Sequence, residues 1–113
     1  MINDDLDIVF KICDHIEYEV DKDGIITILE KQDHIIQRFF RKLKFRIPMY
    51  KRTMLDKYSS YVFSIIDGEN TVKEIGEQLE LKYGKESHPL YERLLLFLNH
   101  IEVNCHYIEK LDE

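Results

Sequence analysis

The 113-residue chain has no tryptophan, only two prolines and four glycines, and two cysteines, Cys13 and Cys105, far apart in sequence. So few prolines and glycines argue against a linker-rich chain or a β-sandwich with its frequent turns. The cysteines stand in no metal-ligand or CxxC spacing, so free thiols are expected and no disulfide framework is. No apolar run approaches the roughly 20 residues that span a bilayer. Residues 1–7 carry three aspartates and no basic cluster, which is not the pattern of a secretory signal, so a cytoplasmic protein is expected. What remains is an ordinary globular composition, 44% hydrophobic and 34% charged, of a length suited to one domain over residues 1–113. A chain of this size buries roughly two-thirds of its unfolded surface, enough for a core without staples.

The net charge of −6 is unevenly spread. From Lys31 to Lys57 nine basic residues face only Asp33 and Asp56, so that segment is +7 and the remainder −13. Either the two surfaces neutralise one another within the fold, or the positive segment steers an anionic partner.

Along the chain, residues 1–15 form an N-terminal arm, apolar from 6 to 12 but without a clear period. Ile16, Tyr18 and Val20 alternate with Glu17 and Glu19, as on one face of a strand. Asp21-Lys22-Asp23-Gly24 carries turn chemistry, and the β-branched run 25–29 closes a hairpin. Between 33 and 43 the period becomes helical, with Ile35, Ile36, Phe39, Phe40 and Leu43 opposite Arg38, Arg41 and Lys42. This basic amphipathic segment either packs on its own core or lies against a membrane surface or a partner. It must stop before Pro48. Residues 50–55 are extended in character and, beside Pro48, suit a third strand at a sheet edge.

Residues 56–108 read as three helices. The first, 56–66, shows a stripe of Tyr58, Tyr61, Val62, Ile65 and Ile66 and ends at Asp67-Gly68. Thr71-Val72-Lys73-Glu74 is a capping box, in which hydroxyl and carboxylate satisfy backbone N–H groups reciprocally. The helix it opens carries Val72, Ile75, Leu79 and Tyr83 on one side and stops at Gly84. The third helix starts around Pro89, with Leu90, Leu94, Phe97, Leu98 and Ile101 inward. Residues 107–108 return as extended chain. The expected fold class is α+β, winged helix-turn-helix-like: a three-stranded antiparallel sheet over residues 16–55 followed by a three-helix bundle.

The series Leu55-Asp56, Ser59-Ser60, Val62-Phe63, Asp67-Gly68 and Thr71-Val72-Lys73-Glu74-Ile75 resembles the PqqD family, whose pattern has these residue types in this order. The likeness runs from about residue 16 to 108. It departs from the family in Phe63, where Trp is frequent, in Asp56, where Asn is frequent, and in a longer basic insertion over 33–49. The resemblance implies a peptide-recognition module rather than an enzyme. Such a module holds the leader of a ribosomally made precursor peptide and presents it to a modifying enzyme, often a radical S-adenosylmethionine protein. It also implies that the leader adds as a strand to the sheet edge beside the third helix. That places it along Tyr50, Lys51, Arg52, Thr53 and Met54, facing the helix from Pro89. Tyr50, Arg52 and Met54 alternate with Lys51, Thr53 and Leu55, so one set faces the core and the other solvent. Lys51 and Arg52 are candidates to meet leader acids. Tyr91 and Leu95 flank the apolar stripe of the third helix as pocket walls or as ordinary core. No cofactor or metal is implied.

Against a winged-helix nucleic-acid-binding regulator, the alternative, stands the third helix. It carries Arg93 alone among bases, beside Glu92 and Glu102, so phosphates are repelled where a recognition helix must approach. No Gly-rich phosphate loop, nucleophile elbow or zinc spacing is present, and the five histidines are scattered. An open sheet edge also permits strand-exchanged homodimers.

Overall fold

The computed structural model describes residues 6–31 and 50–111. The basic amphipathic segment expected over 33–43, and its continuation to 49, lie outside the described residues. Four strands come first: β1 (Phe10–Ile12), β2 (Glu17–Val20), β3 (Ile26–Lys31) and β4 (Tyr50–Met54). Helices α1 (Lys57–Ser64), α2 (Val72–Tyr83) and α3 (Leu90–Asn99) follow, then β5 (Ile108–Lys110). The strands form two antiparallel sheets, β2-β3-β4 and β1-β5.

Local chemistry explains most boundaries. The Asp21 carboxylate accepts from Asp23 N–H at 2.8 Å and Ile25 N–H at 3.0 Å, and Gly24 takes φ +83°, closing the β2–β3 hairpin. Ile26 and Ile28 of β3 are fully buried. Asp56 caps α1 by accepting from Ser59 N–H at 2.7 Å. Asp67 accepts from the N–H groups of Glu69 and Asn70, both at 2.9 Å, and these bonds hold its carboxyl below the usual range. The capping box closes both ways: Glu74 N–H donates to Thr71 Oγ1 at 3.2 Å, and Thr71 N–H to Glu74 Oε1 at 2.9 Å. Thus each piece of the 55–75 motif has a structural task in a cap, a turn or the core.

The structure differs from expectation in three respects. First, the N-terminal arm and the extended return after the helices, which were not expected to meet, pair as β1-β5, Phe10 opposite Lys110 and Ile12 opposite Ile108, forming a second sheet. Two segments nearly a hundred residues apart complete each other, and neither shows a periodic pattern long enough to announce it. Second, α1 ends at Ser64, and Phe63 rather than Tyr61 is fully buried beside Val62. Third, past Asn99 the third helix widens: Cys105 N–H donates to the His100 carbonyl five residues back, at 3.2 Å. His106 at φ +58° then reverses the chain, and Tyr107 N–H reaches Ile101 O at 2.8 Å. One core unites both sheets and all three helices, from Phe10 and Ile28 through Val62, Leu79 and Leu94 to Ile108.

Candidate functional site

β4 bonds to β3 along one side only among the described residues. Leu55 N–H donates to Ile26 O at 2.8 Å. Antiparallel pairing alternates, so Thr53 and Lys51 also direct their backbone at β3, while the N–H and C=O of Arg52 and Met54 point away from it, to a side with no partner strand among the described residues. Two donors and two acceptors in extended chain therefore lie at that edge.

The faces follow from the register. Thr53 stands opposite Ile28 and Lys51 opposite Glu30, so this set lies on the core side. Arg52 and Met54 lie on the solvent side, where Met54 is 73% exposed. Arg52 does not await a partner: its Nη2 meets Glu19 Oε2 across the sheet at 2.7 Å. Lys51 has no carboxylate at salt-bridge distance among the described residues. Tyr50 pairs in register with Lys31.

Beside β4 runs α3. The Phe97 ring meets that of Tyr58, in the first turn of α1, at 6.2 Å and 75°. The Arg93 guanidinium lies 4.6 Å from the Tyr58 centroid, with Nη1 donating to Glu86 O at 2.6 Å. Burial raises the Tyr58 phenol, opposed by Arg93, and its hydroxyl is buried without a partner among the described residues. Farther along, the Tyr107 hydroxyl donates to Glu30 Oε1 at 3.0 Å; burial first, then Glu30, push its pKa up to about 12 against an opposing contact with Thr53. Cys105 lies there too, its thiol raised by burial and by Glu30 and lowered by Lys51. Hence Arg93 and Phe97 of α3 meet Tyr58 at the start of α1, while the turn after α3 brings Cys105 and Tyr107 toward Glu30 of β3 and toward Lys51 and Thr53 of β4.

Tyr91 and Leu95 are not part of this flank. Tyr91 lies against α2, where a Cβ on Gly76 would stand 2.4 Å from its Cε1, and its hydroxyl donates to Lys73 O at 3.2 Å. Leu95 lines a small cavity with Ile8, Phe10 and Leu98 near β1. Both turn away from Tyr58, because Arg93 and Phe97 form the other flank of the Leu94–Leu98 stripe. Sequence reasoning did not bring Tyr58, Arg93 and Phe97 together, nor Tyr107 and Glu30. The i, i+4 spacing of Arg93 and Phe97 shows that they share a flank; only the packing shows that this flank meets α1.

Near the end of α3 stand a thiol and an imidazole. Cys105 Sγ lies 3.5 Å from His100 Nε2, and His100 Nδ1 lies 3.1 Å from Asn104 Nδ2. A thiol whose pKa is raised stays protonated near neutrality and is a poor nucleophile. Among the described residues no three His, Cys, Asp or Glu converge as metal ligands, and no helix is long and apolar enough to cross a membrane. Comparison with protein-family models, curated proteins and solved structures finds no match to this chain.

Proposed function

We propose that this chain is a peptide-binding module of winged-helix, PqqD-like kind, which receives an extended leader segment as a further strand on β4 and presents the precursor to a modifying enzyme. The observation that carries this reading is the edge of β4, where the backbone groups of Arg52 and Met54 face away from β3, a few residues before Tyr58 and its contact with Phe97. Strand addition satisfies such groups, and side-chain pockets add selectivity. Each main-chain bond contributes about 1 kcal/mol net, so micromolar binding at about −8 kcal/mol also needs apolar contacts such as Phe97 and Met54. The sequence motif 55–75 supports the same assignment, with a cytoplasmic radical S-adenosylmethionine enzyme as partner. Nucleic-acid binding is the poorer reading, since Arg93 is already engaged by Tyr58 and Glu86 and α2 exposes Glu77 and Glu80.

The test is affinity purification from the native cell, followed by calorimetric titration with the leader of whichever small precursor peptide co-purifies. Saturable binding of the unmodified leader is expected. Steeply salt-dependent retention of DNA or RNA, with no peptide, would overturn the proposal.

A further inference from the structure

At the opposite side of the sheet, the β2–β3 turn, α1 and the end of α2 enclose an open cavity of about 400 Å³. Val20 and Ile25 form an apolar wall, and Tyr61 and Tyr83 meet edge to face at 5.9 Å and 88°. Lys57 and Tyr61 lie one turn apart on the same face of α1. Lys82 comes from the last turn of α2, its ammonium 4.9 Å from the Tyr61 centroid and 5.7 Å from that of Tyr83.

Two features distinguish this place from an ordinary surface dent. The ammonium of Lys82 rests on ring faces rather than a carboxylate, and neither it nor Lys57 has an acid at salt-bridge distance among the described residues. Asp23 is the single acid in the lining, so the cavity is net positive in a chain of net charge −6. Its volume falls within the range of small-molecule sites.

We propose that this cavity binds a small planar anion, an aromatic ring bearing a carboxylate or a phosphate. The ring packs against Val20, Ile25 and the tyrosines, while the anion meets Lys82 and Lys57. A cationic ligand is repelled by both lysines, and a neutral ring lacks an anchor. This site is separate from β4 and does not depend on peptide binding there.

The test is an NMR titration of the isotope-labelled chain with phenyl phosphate, benzoate, benzyl alcohol and inorganic phosphate, following the tyrosine rings and neighbouring amides. Saturable shifts at Tyr61 and Tyr83 are expected with an aromatic anion, at least about tenfold weaker with benzyl alcohol or inorganic phosphate. Tighter phenyl phosphate assigns a phosphate ligand, and tighter benzoate a carboxylate. Lys82→Gln, an exposed substitution, should weaken binding about tenfold, whereas Lys85→Gln, outside the cavity, should not. No saturation with either aromatic anion, equal affinity for inorganic phosphate, or unchanged binding in Lys82→Gln would each overturn the site.

Discussion

The Ser60 hydroxyl stands between β3 and β4, where a backbone bond would otherwise run. It accepts from Ile26 N–H at 2.9 Å and donates to Leu55 O at 3.4 Å, fastening α1 beneath the sheet. Ser60 is only 1% exposed, so no water can replace it cheaply. Ser60→Ala should cost about 1–3 kcal/mol, because it leaves a buried donor and acceptor unpaired. Denaturant unfolding checks this, and an unchanged midpoint would show that the strands close the gap without it.

Gly76 is needed for its lack of a side chain. A Cβ there would lie 2.4 Å from the Tyr91 ring. Gly76→Ala should destabilise by roughly 1–3 kcal/mol through overpacking, despite alanine's better helix propensity. Combining it with Tyr91→Ala should give a total well below the sum of the singles, measured by a double-mutant cycle.

The backbone alternation of β4 separates binding from stability. Met54→Pro deletes an N–H that faces away from β3, so the domain should stay folded while leader affinity falls about tenfold. Thr53→Pro removes a donor to β3 and should lower the unfolding midpoint instead. Tyr18→Pro acts on the outer edge of β2 and should leave leader binding intact. Loss of binding in that variant, with Met54→Pro unaffected, would move the guest to the other side of the sheet.

Charge effects at the edge should belong to Lys51 rather than Arg52, whose guanidinium already meets Glu19. Lys51→Glu should slow association with an acidic leader, most at low salt, in stopped-flow measurements.

Tyr107 predicts an alkaline dependence of stability. Its phenol ionises near 10 when unfolded and at about 12 in the fold, raised first by burial. The folded chain thus holds this proton more tightly. The contribution is complete below about pH 10 and is lost as pH rises toward 12. Tyr107→Phe should flatten the stability curve across that window, as read by urea unfolding at successive pH values.

What was legible in the sequence was short-ranged. Asp56, Asp67 and the Thr71–Glu74 box each act within four residues, and Gly24 and Gly84 answer a local need for positive φ. Strand alternation in 50–55 likewise needs no neighbour to be seen. Of the candidate residues, the strand 50–54 was there to be read, whereas the packing of Tyr91 against Gly76 and of Leu95 near Phe10 was not.

The amino-acid order alone determined the turns, the caps and the apolar stripe of α3, because these depend on groups adjacent along the chain. Tertiary packing decided that Phe10 joins Lys110, that Ser60 reaches Ile26, and that Phe97 rather than Leu95 meets Tyr58 of α1. Those contacts join segments tens of residues apart, and several pairings bury the same stripe equally well. Only simultaneous packing of both sheets and all three helices selects among them.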